Sequence, residues 1–447
     1  MTMSRIASIP TGAETALATQ FGAAKAGLPG NAAVKTLRDV AFDLFARSGL
    51  PNRRIEAWHY TDLRGSMAEA FPLASAPDAA AIDAVRGELV AAGPALGPRL
   101  VILDGTFVAE LSSPLPAGAQ VRSLASVLAE GNPVLIDKLA AASFGGGDAM
   151  VALNAALMQD GVVIEIAAGA ELLDPVEIIY ATAATAPVAR FFRSLVVVGQ
   201  GAKVRVAERG LGAGGRTGQT FGCLIFDIAD GADVGHSVAV TKTEPGSLRL
   251  DTFIADLGAN VTFDSFALIH GEGLVRRQIF MRFSGDDSKA ALRGVSLLSG
   301  RDHADTTLDV EHVGRGCEGR ETFRYVLDER ATGIFQGRIR VAKGAQKTDG
   351  KMMSRALLLS DDVVMNNKPE LEIFADDVAC GHGATCGGLD ENQLFYLQAR
   401  GLPRAEAEAL LLEAFAAELA GEIEHEGLAE AFRADIAEWL VTRGQRG

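Results

Sequence analysis

Four cysteines, at 223, 317, 380 and 386, are too few to brace a chain of 447 residues, so a disulfide framework is excluded and each thiol is free to be a ligand, a nucleophile or core. Basic residues are also in deficit. The 42 Lys and Arg against 57 Asp and Glu leave a net charge of -15, which argues against nucleic-acid binding that relies on displacing counterions with dense positive charge. No apolar run approaches the roughly eighteen residues a bilayer span needs. Met1 to Arg5 and the small-residue stretch after them show no apolar block of the secretory kind. A soluble cytoplasmic protein with neither membrane nor nucleic-acid partner is expected. Chemistry motifs are missing too. Gly314-Arg-Gly-Cys317-Glu-Gly lacks the Lys-Ser/Thr of a P-loop, no strand-GxGxxG-helix fingerprint occurs, and there is no Gly-x-Ser-x-Gly elbow. Nucleotide binding by these routes and serine hydrolysis have no support.

The length allows a large core and two to three domains. Residues 1 to about 34 are Ala- and Gly-rich and read as a weak helix or an arm. From Lys35 the spacing of Leu37, Val40, Ala41, Leu44 and Phe45 predicts an amphipathic helix that stops at Gly49-Leu-Pro51. The block that follows, up to Trp58-His-Tyr60-Thr61, reads as an aromatic-anchored connection. Residues 65 to about 150 mix a strand-like Arg99 to Val108 with a helical Ser126 to Glu130. Beyond Val151, β-branched alternation takes over for about two hundred residues.

That central stretch repeats. Gly-Ala-x-Leu/Val opens at Gly169, Gly201, Gly231 and Gly258, at spacings of 32, 30 and 27 residues, with related turns at Gly285 and Gly344. A sandwich would place its turns every 8 to 12 residues or so without this longer period. Stacked coils that each need a neighbour to bury their apolar face account for it better, so a parallel β-helix is expected, not of the hexapeptide type. After Cys386 the helical period returns. Leu411, Phe415, Leu419 and Ile423 form one stripe and Leu428, Phe432, Ile436 and Leu440 another, with Glu406, Glu408, Glu413, Glu418, Glu422 and Glu424 on what reads as a solvated outer face.

Two clusters could carry chemistry. Phe374 to Cys386 concentrates soft ligands. If it runs as a strand, Cys380 and His382 share a face about 6 to 7 Å apart, and Cys386 joins them only if the strand is unbroken. A thiol and an imidazole suit iron, zinc or an iron-sulfur cluster, whereas the plain alternative is a small buried thiol beside a satisfied histidine. In the second cluster, His303, Asp305, Asp309 and Glu311 share one strand parity and read as an exposed polar row, with His312 on the opposite, apolar side as a core or interface histidine.

The block Leu357 to Gly401, containing Asn366-Asn-Lys368-Pro369, Cys380-Gly-His382-Gly-Ala-Thr and Phe395-Tyr396, strongly resembles the C-terminal signature of the SufB/SufD family of iron-sulfur cluster assembly proteins. The Cys-x-His-Gly-Ala-Thr run is similar to its SufD branch rather than to SufB. Gly49-Leu-Pro51 followed by Trp58-x-Tyr60-Thr61 is similar to the family's N-terminal motif. The resemblance implies a mainly β fold: a right-handed parallel β-helix core over 151-395, an N-terminal helical or mixed region over 1-150, and a C-terminal helical domain over 396-447.

It further implies a non-catalytic scaffold that pairs with SufB through the β-helix, binds the SufC ATPase through its C-terminal helices and binds no nucleotide itself. Cys380 and His382 fall on the positions where a nascent cluster or incoming iron is held, with the partner chain completing the site. His312 and Cys386 are possible auxiliary ligands, and Leu411, Phe415 and Leu419 are expected to meet a partner. In isolation a homodimer is possible. Two positions depart from the family pattern. Gly381 stands where Ser is common, and Cys386 stands where an aliphatic residue is common, so Cys386 is expected to fill space. The alternative function is a β-helix carbohydrate-active enzyme using Asp305, Asp309 and Glu311.

Overall fold

A computed structural model describes residues 9-140, 147-211, 218-241, 246-271 and 273-446. Part of the expected N-terminal arm, residues 1-8, lies outside the described residues. The rest of it begins as a helix, Gly12–Ala24, closed by a capping box in which Thr11 accepts from the Glu14 N–H and the Glu14 carboxylate accepts from the Thr11 N–H. The helix predicted from Lys35 runs over Ala32–Ser48 and stops at Gly49, whose φ of 69° only glycine adopts readily.

The centre is a parallel β-solenoid. Each turn contributes one strand to each of two facing sheets. One sheet runs through Ala119–Ser123, Val162–Ile166, Ala189–Val198, Gln219–Ile228, Leu248–Leu257, Leu274–Phe283, His303–His312, Thr332–Val341 and Val364–Ile373. The other runs through Thr106–Phe107, Arg99–Leu103, Val176–Ala181, Lys203–Leu211, Asp233–Val240, Thr262–His270, Lys289–Leu298, Glu318–Leu327, Asp349–Leu358 and Ala379–Gly387. All strand pairs are parallel except the first in each sheet. Alternate residues point into a shared lumen, where Phe226, Phe253, Phe263, Phe283, Phe323 and Phe335 are among the buried apolar side chains.

The repeat in the sequence is the corner between the two sheets. In each coil one corner residue takes the left-handed conformation, and its N–H donates to a carbonyl of the next coil. Gly169 donates to Gln200, Gly201 to Asp230, Gly231 to Ala259, Asn260 to Asp286, Asp287 to Arg315, Gly316 to Gln346 and Lys347 to Asp377, at 2.6 to 3.0 Å. Gly258 is therefore not the equivalent of Gly231; Asn260 is. The following residue fills the corner, and Ala202, Ala232, Val261, Ser288, Cys317 and Thr348 are all buried there. Cys317 is thus a small corner side chain.

Helices cover both outer faces. N-terminal residues including Leu17, Phe45, Trp58 and Leu153 pack on the sheet that carries Phe191, Phe221 and Leu250; this is the N-side sheet. C-terminal residues including Leu412, Leu419, Phe432 and Trp439 pack on Phe266, Leu268, Val295 and Leu297 of the other, the C-side sheet. Both expected domain limits fall inside helices: 150/151 lies in Ala149–Leu157 and 395/396 in Glu391–Ala399. The first of these helices, Ala-Met-Val-Ala-Leu-Asn-Ala-Ala-Leu, is buried on every side, and an all-round apolar run carries no period to tell it from a strand. The N-terminal region also supplies strands to both sheets. No helix among the described residues is long and apolar enough to cross a membrane.

Candidate functional site

The two sheets end differently. At the N-terminal end short antiparallel strands flank the first coils, but Val364–Ile373 and Ala379–Gly387 each have a neighbour on one side only. Their residues are half-buried or exposed along their whole length, so the lumen opens at this end. An unpaired edge with apolar residues beside it is a surface that invites another chain. Val364, Ile373 and Phe374 are 47%, 40% and 61% exposed on its rim.

Ala379–Gly387 is unbroken despite its glycines, because it is held in register along Asp349–Leu358, with Cys380 opposite Gly350, His382 opposite Met352 and Cys386 opposite Ala356. Cys380, His382 and Cys386 therefore share one parity, that of Gly350, Met352 and Ala356 in the strand beneath. Cys380 is half-buried and His382 exposed. Desolvation leads in pushing the Cys380 thiol up from its ordinary value; an N–H bond at Gly350 works against this, and the Asp349 and Glu321 carboxylates add to it.

Cys386 stands six residues from Cys380, about 20 Å along an unbroken strand, so the two thiols cannot bind one metal ion and Cys386 is not an auxiliary ligand of that centre. Nor does it fill space: it is exposed, and its sulfur accepts from Asn367 Nδ2 at 3.1 Å while Ser354 Oγ donates to Asn367 Oδ1 at 2.6 Å. His312 is not at the open end either. It is fully buried in the lumen, stacked on Phe283 with ring centroids 4.3 Å apart, and burial alone drops it to about 4. Among the described residues no three His, Cys, Asp or Glu side chains are grouped to hold a metal. At this end the chain offers Cys380 and His382 as an incomplete donor set.

The second cluster is not an exposed row. Asp305 is buried against Arg276 and accepts from Thr61, and Thr61 Oγ1 also meets His303 Nε2 at 3.0 Å. Arg276 is covered by the Trp58 ring and donates to the Ala57 carbonyl at 2.7 Å. The two stretches read separately in the sequence are one contact. Asp309 pairs with Arg338, and Glu311 with Arg282 at 2.7 Å and Arg340 at 3.8 Å. With each carboxylate already neutralised, the row has no free acid or base for glycoside chemistry. Elsewhere in the lumen, Glu208, His236 and Ser265 are joined at 2.9 Å each, and Tyr180 also donates to Glu208. All four side chains are buried, Ser265 to 3% exposure, so the array is a satisfied core network rather than a hydrolytic site.

The C-terminal stripe faces inward. Leu419 is 2% exposed and Phe415 packs with it on the C-side sheet, while Leu411 is half-buried. Part of the acidic face also turns to the solenoid: Glu418 meets Arg324 at 2.8 Å, Glu422 meets Arg293 at 2.7 Å, and Glu424 meets Arg205. Phe395, Tyr396 and Leu410 are left exposed instead.

Sequence reading missed Glu321. It shares parity with Phe323, Tyr325 and Leu327, and a carboxylate on an otherwise apolar parity was the available signal.

Fold and site together define a two-sheet β-solenoid, sheathed in helices, that presents a thiol and an imidazole on the last strand at its open end. The description "SUF system FeS cluster assembly, SufBD core domain" matches residues 180-415, and "SufBD protein N-terminal region" matches residues 25-178. An iron-sulfur cluster assembly SufBD family protein of Synechocystis sp. is 30% identical over 399 residues, 86% of each chain. The iron-sulfur cluster assembly protein SufD of Escherichia coli is 27% identical over 398 residues, 88% of this chain and 90% of that one. The Bacillus subtilis protein of the same name is 28% identical over 283 residues, 62% and 64%. The chain belongs to the SufBD family of iron-sulfur cluster assembly proteins.

Proposed function

We propose that this chain is a non-catalytic scaffold subunit that holds a nascent iron-sulfur cluster or incoming iron, as cargo, between Cys380 and His382 and ligands from a SufB chain docked on the open end of the solenoid. The observation that carries the reading is the coincidence of two features in one strand: Ala379–Gly387 is an unpaired sheet edge, and it bears both soft donors. A docked chain completes the edge and the donor set together. Val364, Ile373 and Phe374 give that contact an apolar rim.

The C-terminal helical domain docks a SufC ATPase, to which ATP hydrolysis belongs. Glu391–Ala399 follows the Cys380 strand after three residues, so a displacement of this domain pulls directly on the site. With Phe415 and Leu419 turned inward, Phe395, Tyr396, Leu410 and Val441 are among the apolar side chains left for that docking.

Anaerobic co-expression with SufB and SufC tests the reading through stoichiometry and bound iron and sulfide measured together. A complex containing all three chains, whose iron and sulfide fall when Cys380 and His382 are replaced, is expected. A purified chain that forms no complex, or one that degrades an acidic polysaccharide, would overturn it.

A further inference from the structure

Towards its open end the solenoid alternates in charge from coil to coil. Residues 273-298 carry five Lys and Arg against two Asp and Glu, 299-327 carry four against six, 328-358 carry seven against three, and the last coil, 359-388, carries one against six. Strands of neighbouring coils stand about 4.8 Å apart, so opposite charges in register meet. Arg282 pairs with its register partner Glu311 at 2.7 Å, and Lys289 with Glu318 at 3.0 Å. One coil on, Asp309 pairs with Arg338. In the last step Arg340 pairs with Glu372 at 3.1 Å, and Lys347 with Asp377 at 2.5 Å. Each of these coils meets one of opposite balance on the side towards the open end, except the last, which has no neighbour beyond it.

The acids of that last coil surround the opening. Asp361 and Asp362 lie in the corner before Val364–Ile373, Asp376 and Asp377 in the corner after it, and Glu370 and Glu372 on the outer side of the strand, opposite in parity to Met365 and Leu371 of the lumen. All but Glu372 are exposed. The coil's single base does not offset them, because Lys368 is already shared between Glu370, at 3.2 Å, and Glu56 of the N-terminal segment. The strand that bears Cys380 and His382 contains no Lys, Arg, Asp or Glu, so the charge lies beside the donors and not among them.

We propose that the open end selects its partner by charge: the chain that docks there presents a rim rich in Lys and Arg, which continues the alternation by one more layer. The same acids hold two copies of this chain apart, since a second copy would bring another coil of six acids and one base to the contact. Docking on this end rests on the reading given above; the choice of partner by charge goes beyond it. Rim charges of this kind act first on encounter and on the rejection of wrong partners.

The test is the affinity of the full chain for SufB as a function of salt. Three forms are compared: the parent, a rim variant carrying Asp361→Asn, Glu370→Gln and Asp376→Asn, and a control carrying Asp43→Asn, Glu69→Gln and Asp137→Asn, which neutralises three exposed acids of the N-terminal region. The parent is expected to bind more weakly as salt rises from about 0.05 to 0.5 M. The rim variant binds about tenfold more weakly than the control at the low end, through slower association, and the gap closes at the high end. Thermal midpoints show whether the variants fold. If the triple rim variant does not, Glu370→Gln alone, an exposed side chain, gives the same comparison at about twofold to threefold. Equal affinities for rim variant and control overturn the proposal and leave docking intact, whereas a parent that binds no SufB at any salt overturns docking itself and the proposal with it. A homodimer of the parent that tightens as salt falls would make a second copy the occupant, and that too overturns it.

Discussion

The guanidinium of Arg276 lies over the indole ring of Trp58, 3.8 Å from its centroid, while one of its nitrogens pairs with Asp305. Neither Arg276 nor Asp305 is exposed. This stack fastens the N-terminal segment to the N-side sheet and removes both charges from water. Losing one partner strands the other as an unpaired buried charge, so Asp305→Ala should cost about 3 to 5 kcal/mol. The pair Asp305→Ala with Arg276→Met should recover most of that loss. Urea unfolding of the three chains checks this, and equal losses for the single and double variants would show that the charge pairing is not what matters.

The corner ladder predicts different outcomes at positions that look alike in the sequence. Gly201, with φ of 63°, carries the left-handed turn, so Gly201→Ala should lose about 1 to 2 kcal/mol. Lys347 already sits at φ of 66° with a side chain, and Lys347→Gly should gain up to about 1 kcal/mol there. Cys317 shares its corner with Ser288 and Thr348 in the adjacent coils, so Cys317→Ser should unfold within about 1 kcal/mol of the parent. Denaturant midpoints measured side by side give all three values.

Burial lifts Glu321 to about 8 and drops His312 to about 4. The folded chain holds the Glu321 proton more tightly than the unfolded chain does. The stability this contributes is complete below the ordinary glutamate range near 4.5 and is lost as pH rises towards 8. His312 acts in the opposite sense: its contribution is complete above about 6.5 and is lost as pH falls towards 4. Glu321→Gln should therefore flatten the decline of thermal midpoint between pH 5 and 8, and His312→Phe the decline between pH 6.5 and 4. Unchanged slopes in thermal scans would contradict the buried, unpartnered setting of the two groups.

Leu419 distinguishes two uses of the C-terminal stripe. It is packed on the solenoid of its own chain, so Leu419→Ala should destabilise the isolated protein by about 2 to 4 kcal/mol. Phe395→Ala should leave the isolated chain nearly as stable as the parent and weaken retention of the ATPase subunit. Calorimetry of the isolated chains and pull-down of the complex separate the two effects.

Much of this architecture is legible in the chain itself. Gly169, Gly201 and Gly231 mark the corners because a left-handed residue is required once per coil and glycine adopts that conformation most readily. The register slips at Gly258 because Asn260 takes over the position, and Asp287 and Lys347 hide it altogether. Strand alternation placed Cys380 and His382 on one face, and the family resemblance suggested the role proposed for them. What a one-dimensional pattern does not carry is which outer face another segment covers. His303 and Asp305 read as exposed because their parity is polar, yet Thr61, more than two hundred residues away in the chain, bonds both, and Trp58 covers the Arg276 that pairs with Asp305. Glu418, Glu422 and Glu424 read as solvated for the same reason, and their arginine partners lie on strands far from them in sequence.

The central claim is that Cys380 and His382 hold cargo at an interface. The most direct measurement is the iron and sulfide content of the anaerobically purified complex, for the parent and for Cys380→Ala with His382→Ala, at matched recovery of all subunits. The account predicts an intact complex with at least a tenfold loss of bound iron and sulfide, the loss expected when a coordinating shell is disrupted. An intact complex that binds as much iron and sulfide as the parent would contradict it.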